Sequence, residues 1–213
     1  MPSTKNSKRR APTRKKLPAK GIATIPELLD HLRIHEWDAL LIGDGSGCGW
    51  KMGAGWAVTL VDRYSGRMKL FWGGINAGTV TLGEMFPYLQ AMVWYAGGNG
   101  PGKRRQREAA KAGRTLKIHV VTDSSTVARC GNNPQSRKSY AELWKSFDAF
   151  RASGYEMTYH HVGRDVINMN ILVDQVSRRA REAMEDVLRN AIADLQKAFP
   201  GLPDDATVYD FIQ

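Results

Sequence analysis

Four acidic residues stand where a chain can hold a side chain rigidly. Asp44 ends the apolar run Leu40-Leu41-Ile42-Gly43, and Asp123 ends the run Leu116–Thr122. Glu84 opens the apolar segment 84–96, and Asp174 lies one to two turns into a periodic stretch near the C-terminus. Glycines flank Asp44, so it reads as an ordinary turn residue or as a ligand held out from a sheet. Carboxylates gathered at one point repel, and some are forced to protonate. Divalent cations remove that conflict, and carboxylates and water are the ligands Mg²⁺ and Mn²⁺ prefer. Two such ions roughly 4 Å apart can activate a water on one side of a phosphodiester and stabilise the leaving oxygen on the other. The chain has 21 acids, several of which fall at strand ends by chance, so spacing alone leaves both readings of Asp44 open.

Elements that would position these acids can be read along the chain. Thr24-Ile25-Pro26-Glu27 forms a capping box ahead of a first helix. Strands are expected at 39–44, 55–61 and 68–72, the last two joined by the turn Asp62-Arg63-Tyr64-Ser65-Gly66. A buried helix is expected over about 84–96, with Pro87 kinking or delaying its first turn. Leu116–Thr122 reads as a fourth strand, Ser124–Cys130 as a short helix stopped by Gly131, and Ser139-Tyr140-Ala141-Glu142 as the cap of the next helix. Tyr155–Val162 is a fifth strand, followed by a long Arg-rich helix over about 168–199. This order predicts an α/β fold: a five-stranded mixed sheet, three antiparallel strands and then two parallel additions, with helices on both faces. Neighbouring parallel strands one and four would bring Asp44 and Asp123 to one sheet edge, where open α/β sheets place their sites.

Charge is distributed unevenly. Of the net +10, residues 1–20 carry +8 and residues 97–114 carry +5, leaving −3 for the rest. Two basic attachments on a near-neutral domain suit a polyanion, because each neutralised phosphate releases counterions. The bland alternative is a solvated tail or an import address. The organisation expected is a basic disordered tail (1–21), one domain (22–199, with the basic insertion at 97–114) and a short acidic tail (200–213). No run approaches the roughly 18 apolar residues of a membrane span. The start MPSTKNSKRR has no apolar core of a secretory signal, and two cysteines make no disulfide framework. The compartment expected is therefore intracellular and cytoplasmic, with a nuclear or viral-replication setting compatible with the basic tail. Protein partners and oligomeric state are left open, and a monomer is assumed.

In its residues as well as its order of elements, the sequence resembles the type 1 ribonuclease H family. Asp44-Gly45-Ser46, followed by Gly53-Ala54-Gly55-Trp56-Ala57-Val58, is similar to the family's first two strands. Glu84 with Leu89 and Ala91 resembles its central-helix segment, Thr122-Asp123-Ser124 its TDS motif, and Glu142-Leu143-Trp144 the start of a later helix. Asn170 and Asp174 resemble the Asn-x-x-x-Asp pattern of its last catalytic helix, one turn apart on one face. The likeness spans about residues 38–185. It implies a ribonuclease H-like fold and an endonuclease that cuts the RNA strand of an RNA–DNA hybrid, leaving 5′-phosphate and 3′-hydroxyl ends. It implies two Mg²⁺ ions, with Mn²⁺ as a substitute, bridged by Asp44 and completed by Glu84, Asp123 and Asp174.

Departures from the family pattern bear on the substrate. The family's loop histidine, ten residues before the last carboxylate, is replaced by Arg164, with His160 and His161 just upstream. Arg164 can bind phosphate or product but cannot shuttle a proton near neutral pH, so Arg164, ahead of His161, is the auxiliary candidate. The amides that precede the family's helix glutamate are absent from Gly78–Gly83. Thr79 and Thr81 are left to contact phosphate or the 2′-hydroxyl that separates RNA from DNA. Ser46, Asn170, Lys103, Arg104, Arg105 and Arg107 complete the expected nucleic-acid contacts. The KRRQR cluster would stand in for the basic handle of some members, whose place is taken by the short link Gly131–Lys138. Trp56, Trp72, Trp94 and Trp144 are read as core. The alternatives are a nuclease of the same fold acting on DNA, such as branched junctions, and a non-catalytic module that binds nucleic acid or a protein partner.

Overall fold

All nine residues of the second strand are buried, which places that strand inside a sheet covered on both faces. The structure, a computed structural model, describes residues 21–47, 54–75, 79–98, 100–164, 166–167, 173–183 and 186. Residues 1–20 of the expected tail 1–21, the expected tail 200–213, Asn170, Cys48 and the far end of the long C-terminal helix lie outside the described residues. Among the described residues no helix is long and apolar enough to cross a membrane.

The elements run α1 (Ile25–His31), β1 (Ala39–Gly47), β2 (Ala54–Asp62), β3 (Met68–Ile75), α2 (Val80–Ala96), α3 (Gly102–Lys111), β4 (Leu116–Thr122), α4 (Ser125–Asn132), a 3₁₀ turn (Pro134–Ser136), α5 (Ala141–Ala152) and β5 (Tyr155–His161). A further helix, α6, covers 173–183. The sheet order is β3-β2-β1-β4-β5. β1 pairs antiparallel with β2 and parallel with β4 (Ala39 opposite Ile118, Ile42 opposite Val121), and β4 pairs parallel with β5. This is the mixed sheet expected from the order of elements. One face packs Leu41, Val58, Leu60 and Val120 against Met85, Tyr88 and Met92 of α2, with Trp144 and Phe147 of α5 in the same core. The other packs Ile42 and Val121 against Leu28 of α1, Val162 and Ile167.

Several local expectations are corrected. α2 begins at Val80, four residues before Glu84, because the Thr79 hydroxyl accepts from Leu82 N–H at 3.2 Å and caps it. Pro87 lies inside this helix, where its missing N–H leaves the Gly83 carbonyl without its helical donor. α4 continues through Gly131 to Asn132. α5 has no side-chain cap; Tyr140 precedes it in the left-handed region at φ 61°. Trp56 and Trp144 are core and Trp94 is half-buried, but Trp72 is 63% exposed. On edge strand β3 it is Phe71 that turns toward α2, meeting Trp94 at 5.4 Å between ring centroids; its neighbour Trp72 therefore points the other way.

The largest correction concerns the basic insertion, which is a helix joined to the body. Arg105 is 8% exposed, ion-paired with buried Asp62, its guanidinium 4.5 Å from the Tyr64 ring centre. Arg114 donates to Asp38 at 3.2 Å and to Tyr64 at 2.8 Å. Asp62 pairs with Ala39, at the start of β1, so α3 is anchored at the sheet edge opposite Asp44. The 17 residues of α2 put about 25 Å between these ends at about 1.5 Å rise per residue. Arg105 is thus a structural counter-charge and not a nucleic-acid contact. Lys103, Arg104 and Arg107 remain exposed on α3, at that distal end.

Candidate active site

Strand alternation decides where Asp44 points. A Cβ added to Gly43 would lie 2.7 Å from Tyr88, and one added to Gly45 would lie 2.2 Å from the Gly83 carbonyl carbon. Both glycines therefore face α2, and Asp44 between them turns to the other face. There α6 brings Asp174, close enough for its charge to act on Asp44. The approach of α6 depends on Gly55, whose added Cβ would lie 2.0 Å from the Ser177 carbonyl oxygen. Asp123 follows the last residue of β4, and its backbone is fixed on both sides: Ser124 N–H donates to Thr122 Oγ1 at 3.0 Å, while Ser124 caps α4.

Glu84 comes from the first turns of α2, set against β1 at Gly45. One turn further along, the Tyr88 hydroxyl lies 2.8 Å from the Gly43 carbonyl and 3.0 Å from the Val121 carbonyl. That buried phenol ties α2 to both acid-bearing strands, and sequence reading missed it. Its available signal was the i, i+4 spacing from Glu84, which puts the two on one helical face.

The result is a tight acidic cluster. Carboxylate oxygens of Asp44, Glu84 and Asp123 all lie within 4.8 Å of one another. Asp44 is fully buried, and Glu84 and Asp174 are buried at 6% and 5% exposure. Burial, then the charges of Asp123 and Asp174, pushes Asp44 up to about 8. Burial, then the charges of Asp44 and Asp123, pushes Glu84 up to about 9. Asp44 Oδ2, Glu84 Oε2 and Asp123 Oδ1 are buried without a hydrogen-bond partner. Such orphaned acceptors are costly unless a cation or proton answers them. An all-oxygen, acid-rich set of this kind fits Mg²⁺ or Mn²⁺.

Two arginines border the cluster. Arg164 Nε donates to Asp123 Oδ2 at 2.8 Å, and Arg178 Nε donates to Asp174 Oδ1 at 2.9 Å. His161 is exposed and donates from Nε2 to the Asp123 main-chain carbonyl at 3.2 Å, not to its carboxylate. His160 instead bonds His119 at 2.9 Å, away from the cluster. Ser46 is half-buried on β1, opposite Gly55.

Beside the cluster runs a groove of about 560 Å³ between the start of α2 and the α4–α5 segment. Thr79, Thr81, Thr126, Ser136, Ser139 and Tyr140 line it with hydroxyls, Arg129 and Lys138 with cations, and Met85, Val127 and Trp144 with apolar surface. No carboxylate is among its described lining. Thr79 and Thr81 thus stand on a wall chemically suited to an anion, although the Thr79 hydroxyl is already engaged by Leu82 N–H and by the Tyr140 hydroxyl.

No family model matches the sequence, and no curated protein matches it. Solved structures do match the fold. The N-terminal RNase H domain of a Mycobacterium tuberculosis protein, determined as a fusion with maltose-binding protein, is 16% identical with a TM-score of 0.51, covering 71% of this chain and 99% of that one. The chain has a ribonuclease H-like fold. LC11-RNase H1 in complex with an RNA/DNA hybrid is 16% identical with a TM-score of 0.47, covering 68% of this chain and 97% of that one. RNase H1 from Halobacterium salinarum is 18% identical with a TM-score of 0.45, covering 68% and 98%. Of the four acids singled out in the sequence of this ribonuclease H-like chain, Asp44 lies inside β1, two residues past its last pairing with β4 and not at the strand end expected, because β1 runs on to Gly47. Asp123 directly follows β4, Glu84 lies four residues into α2, and Asp174 is at the start of α6.

Proposed function

We propose that the protein is a divalent-metal-dependent endonuclease that hydrolyses the RNA strand of RNA–DNA hybrids, leaving 5′-phosphate and 3′-hydroxyl ends. The observation that carries this reading is the convergence of Asp44, Glu84 and Asp123, with three buried carboxylate oxygens lacking any partner, and the charge of Asp174 close by Asp44. These four residues would hold two Mg²⁺ ions, or Mn²⁺ in their place. Bound there, the ions supply a water of lowered pKa and charge neutralisation at the leaving oxygen.

The chain's own residues do the rest. Asp44 and Glu84, protonated near neutral pH in the metal-free protein, give up those protons when cations bind. Arg164 and Arg178 hold positive charge at the rim, where a phosphate can exchange for the carboxylate each now touches. Arg129 and Lys138, with the groove hydroxyls, accept a sugar–phosphate strand next to the cluster and orient the duplex across it. Arg164 carries a fixed charge and moves no proton at neutral pH, so deprotonation of the attacking water falls to the carboxylates or bulk solvent.

One observation favours a second reading, a nuclease acting on DNA such as branched junctions. The Thr79 hydroxyl is occupied within the protein, which leaves fewer free donors for reading a 2′-hydroxyl. A single panel separates the two: RNA–DNA hybrid, duplex DNA and four-way junction, each with Mg²⁺, Mn²⁺ or EDTA. Metal-dependent cutting confined to the RNA strand is expected. Cutting of the junction alone supports the second reading, and no cutting of any substrate by wild-type protein removes both. Asp123→Asn should abolish turnover in a folded protein, and unchanged activity would refute the ligand assignment.

A further inference from the structure

Tyr140 combines two features that no fold requirement explains. Its backbone sits at φ 61°, one of two non-glycine residues with positive φ among the described ones, a conformation that costs an L-residue on the order of 1–3 kcal/mol. Its hydroxyl crosses the groove to the hydroxyl of Thr79. Thr79 is the cap of α2, accepting from Leu82 N–H at 3.2 Å, while its carbonyl accepts from Gly83 N–H at 3.1 Å. Gly83 is the residue that meets Gly45 backbone to backbone, and Glu84 follows it. The Tyr140 ring packs half-buried on the core, and the main chain continues into α5 through Trp144 N–H, which bonds the Tyr140 carbonyl at 3.0 Å. A continuous set of bonds and contacts therefore runs from α5, through Tyr140 and Thr79, to the turn that carries Glu84.

From this arrangement we infer that Tyr140 is a positioning residue: its hydroxyl pins the first turn of α2 across the groove and so fixes Glu84 against Asp44 and Asp123. Apart from that bond, α2 is held near the site by Tyr88 and the Gly45–Gly83 contact on the sheet side and by the apolar packing of Met85 in the core it shares with Val127 and Trp144. On the groove side, among the described residues, the first turn has the Thr79–Tyr140 bond. The left-handed backbone at Tyr140 serves the same end, since it directs the ring back over the groove while α5 departs in its own direction. Backbone strain held in place by surrounding structure is a common accompaniment of sites that need one geometry. Because the bridge forms a wall of the groove, a strand lying there would meet the residue that sets the carboxylate.

This inference rests on the metal-dependent nuclease reading, and the test keeps the two apart. Wild-type protein and Tyr140→Phe are compared for steady-state cutting of the preferred substrate, Mn²⁺ binding followed by the resonance of free Mn²⁺, and thermal melting. Failure of the wild type to bind Mn²⁺ and to cut removes the parent reading. Given an active wild type, Tyr140→Phe should lower kcat by about tenfold, inside the hundredfold loss that a misplacement of about 1 Å can cause. KM should stay within about twofold, Mn²⁺ binding should weaken, and the melting temperature should hold. Wild-type kcat and Mn²⁺ binding in Tyr140→Phe would overturn the inference. So would a raised KM at unchanged kcat, which makes the hydroxyl a substrate contact, or a kcat loss that tracks a fall in melting temperature, which makes it a packing residue.

Discussion

Arg164 donates its Nε–H to Oδ2 of Asp123 at 2.8 Å, setting a guanidinium against one of the converging carboxylates. In the metal-free protein this charge offsets part of the repulsion among the acids. It also occupies an oxygen that a cation would use. Arg164→Ala should therefore lower metal-free stability by no more than about 1 kcal/mol, since the guanidinium is half-exposed. The same variant should gain more melting temperature from Mg²⁺ than wild type does. Paired melts in EDTA and Mg²⁺ check this; equal Mg²⁺-induced shifts in the two proteins would contradict it.

pH dependence follows from the raised carboxyls. Folding raises Asp44 to about 8 and Glu84 to about 9, whereas both titrate near about 4 in an unfolded chain. The folded state then holds more protons between those limits, so metal-free stability falls as pH rises through that window. Melts in EDTA should show a steady decline from pH 6 to pH 9, and saturating Mg²⁺ should flatten it. Asp44→Asn, which removes a buried charge, should be the more stable protein at pH 9 without metal. Calorimetric titration in buffers of different ionisation enthalpy should show protons released as Mg²⁺ binds at pH 7; heats independent of buffer would argue against it.

Gly45 offers a test of the backbone contact that sets Glu84. A Cβ there would lie 2.2 Å from the Gly83 carbonyl carbon and 2.5 Å from Glu84 N, so α2 has to move away from β1. Gly45→Ala should destabilise the protein by about 1–3 kcal/mol, the usual cost of overpacking, and lower kcat as well. Denaturant unfolding and turnover measure both. A variant with wild-type values would show that α2 does not need this approach.

The two roles within the basic helix α3 are also separable. Arg105→Ala leaves Asp62 buried and unpaired, and breaking a buried pair in that way costs about 3–5 kcal/mol. Lys103→Ala and Arg107→Ala, both exposed, should stay within about 0.5 kcal/mol of wild type. Urea midpoints for the three variants decide the matter, and a mild Arg105→Ala would mean that the pair carries little.

For the basic tail, deletion of residues 1–20 should weaken hybrid binding and flatten its dependence on salt, because up to eight cations are lost and each phosphate contact contributes a slope of about −0.7 to −0.9. Affinities measured from 50 to 200 mM salt, a range over which contacts of this kind are resolved, provide the check. Identical slopes would leave the tail a role apart from nucleic-acid contact.

Much of this was legible without coordinates because it is local. The apolar run 116–122, punctuated by Asp and Ser, marks where β4 ends, and a residue at a strand end is placed by its own neighbours; the glycines around Asp44 instead hide that β1 runs on to Gly47. The capping box at Thr24 and the turn at 62–66 are local in the same way. Asp123 could thus be assigned to a strand end, and Glu84 and Asp174 to their helices, from the chain alone, while the resemblance implied what the acids do. What only the tertiary structure decided is which elements meet. The Gly45–Gly83 approach brings Glu84 to Asp44 and Asp123, and the Gly55–Ser177 approach brings α6 and Asp174 to Asp44. The antiparallel return of β2 carries Asp62 to the edge where it buries Arg105, a residue that in sequence is one base among six. Edge position turns Trp72 outward, and a bond across 61 residues gives Tyr140 its partner. Periodicity along a chain reports which face a residue occupies within its own element; which other element covers that face is set by long-range pairing, and no short window contains it.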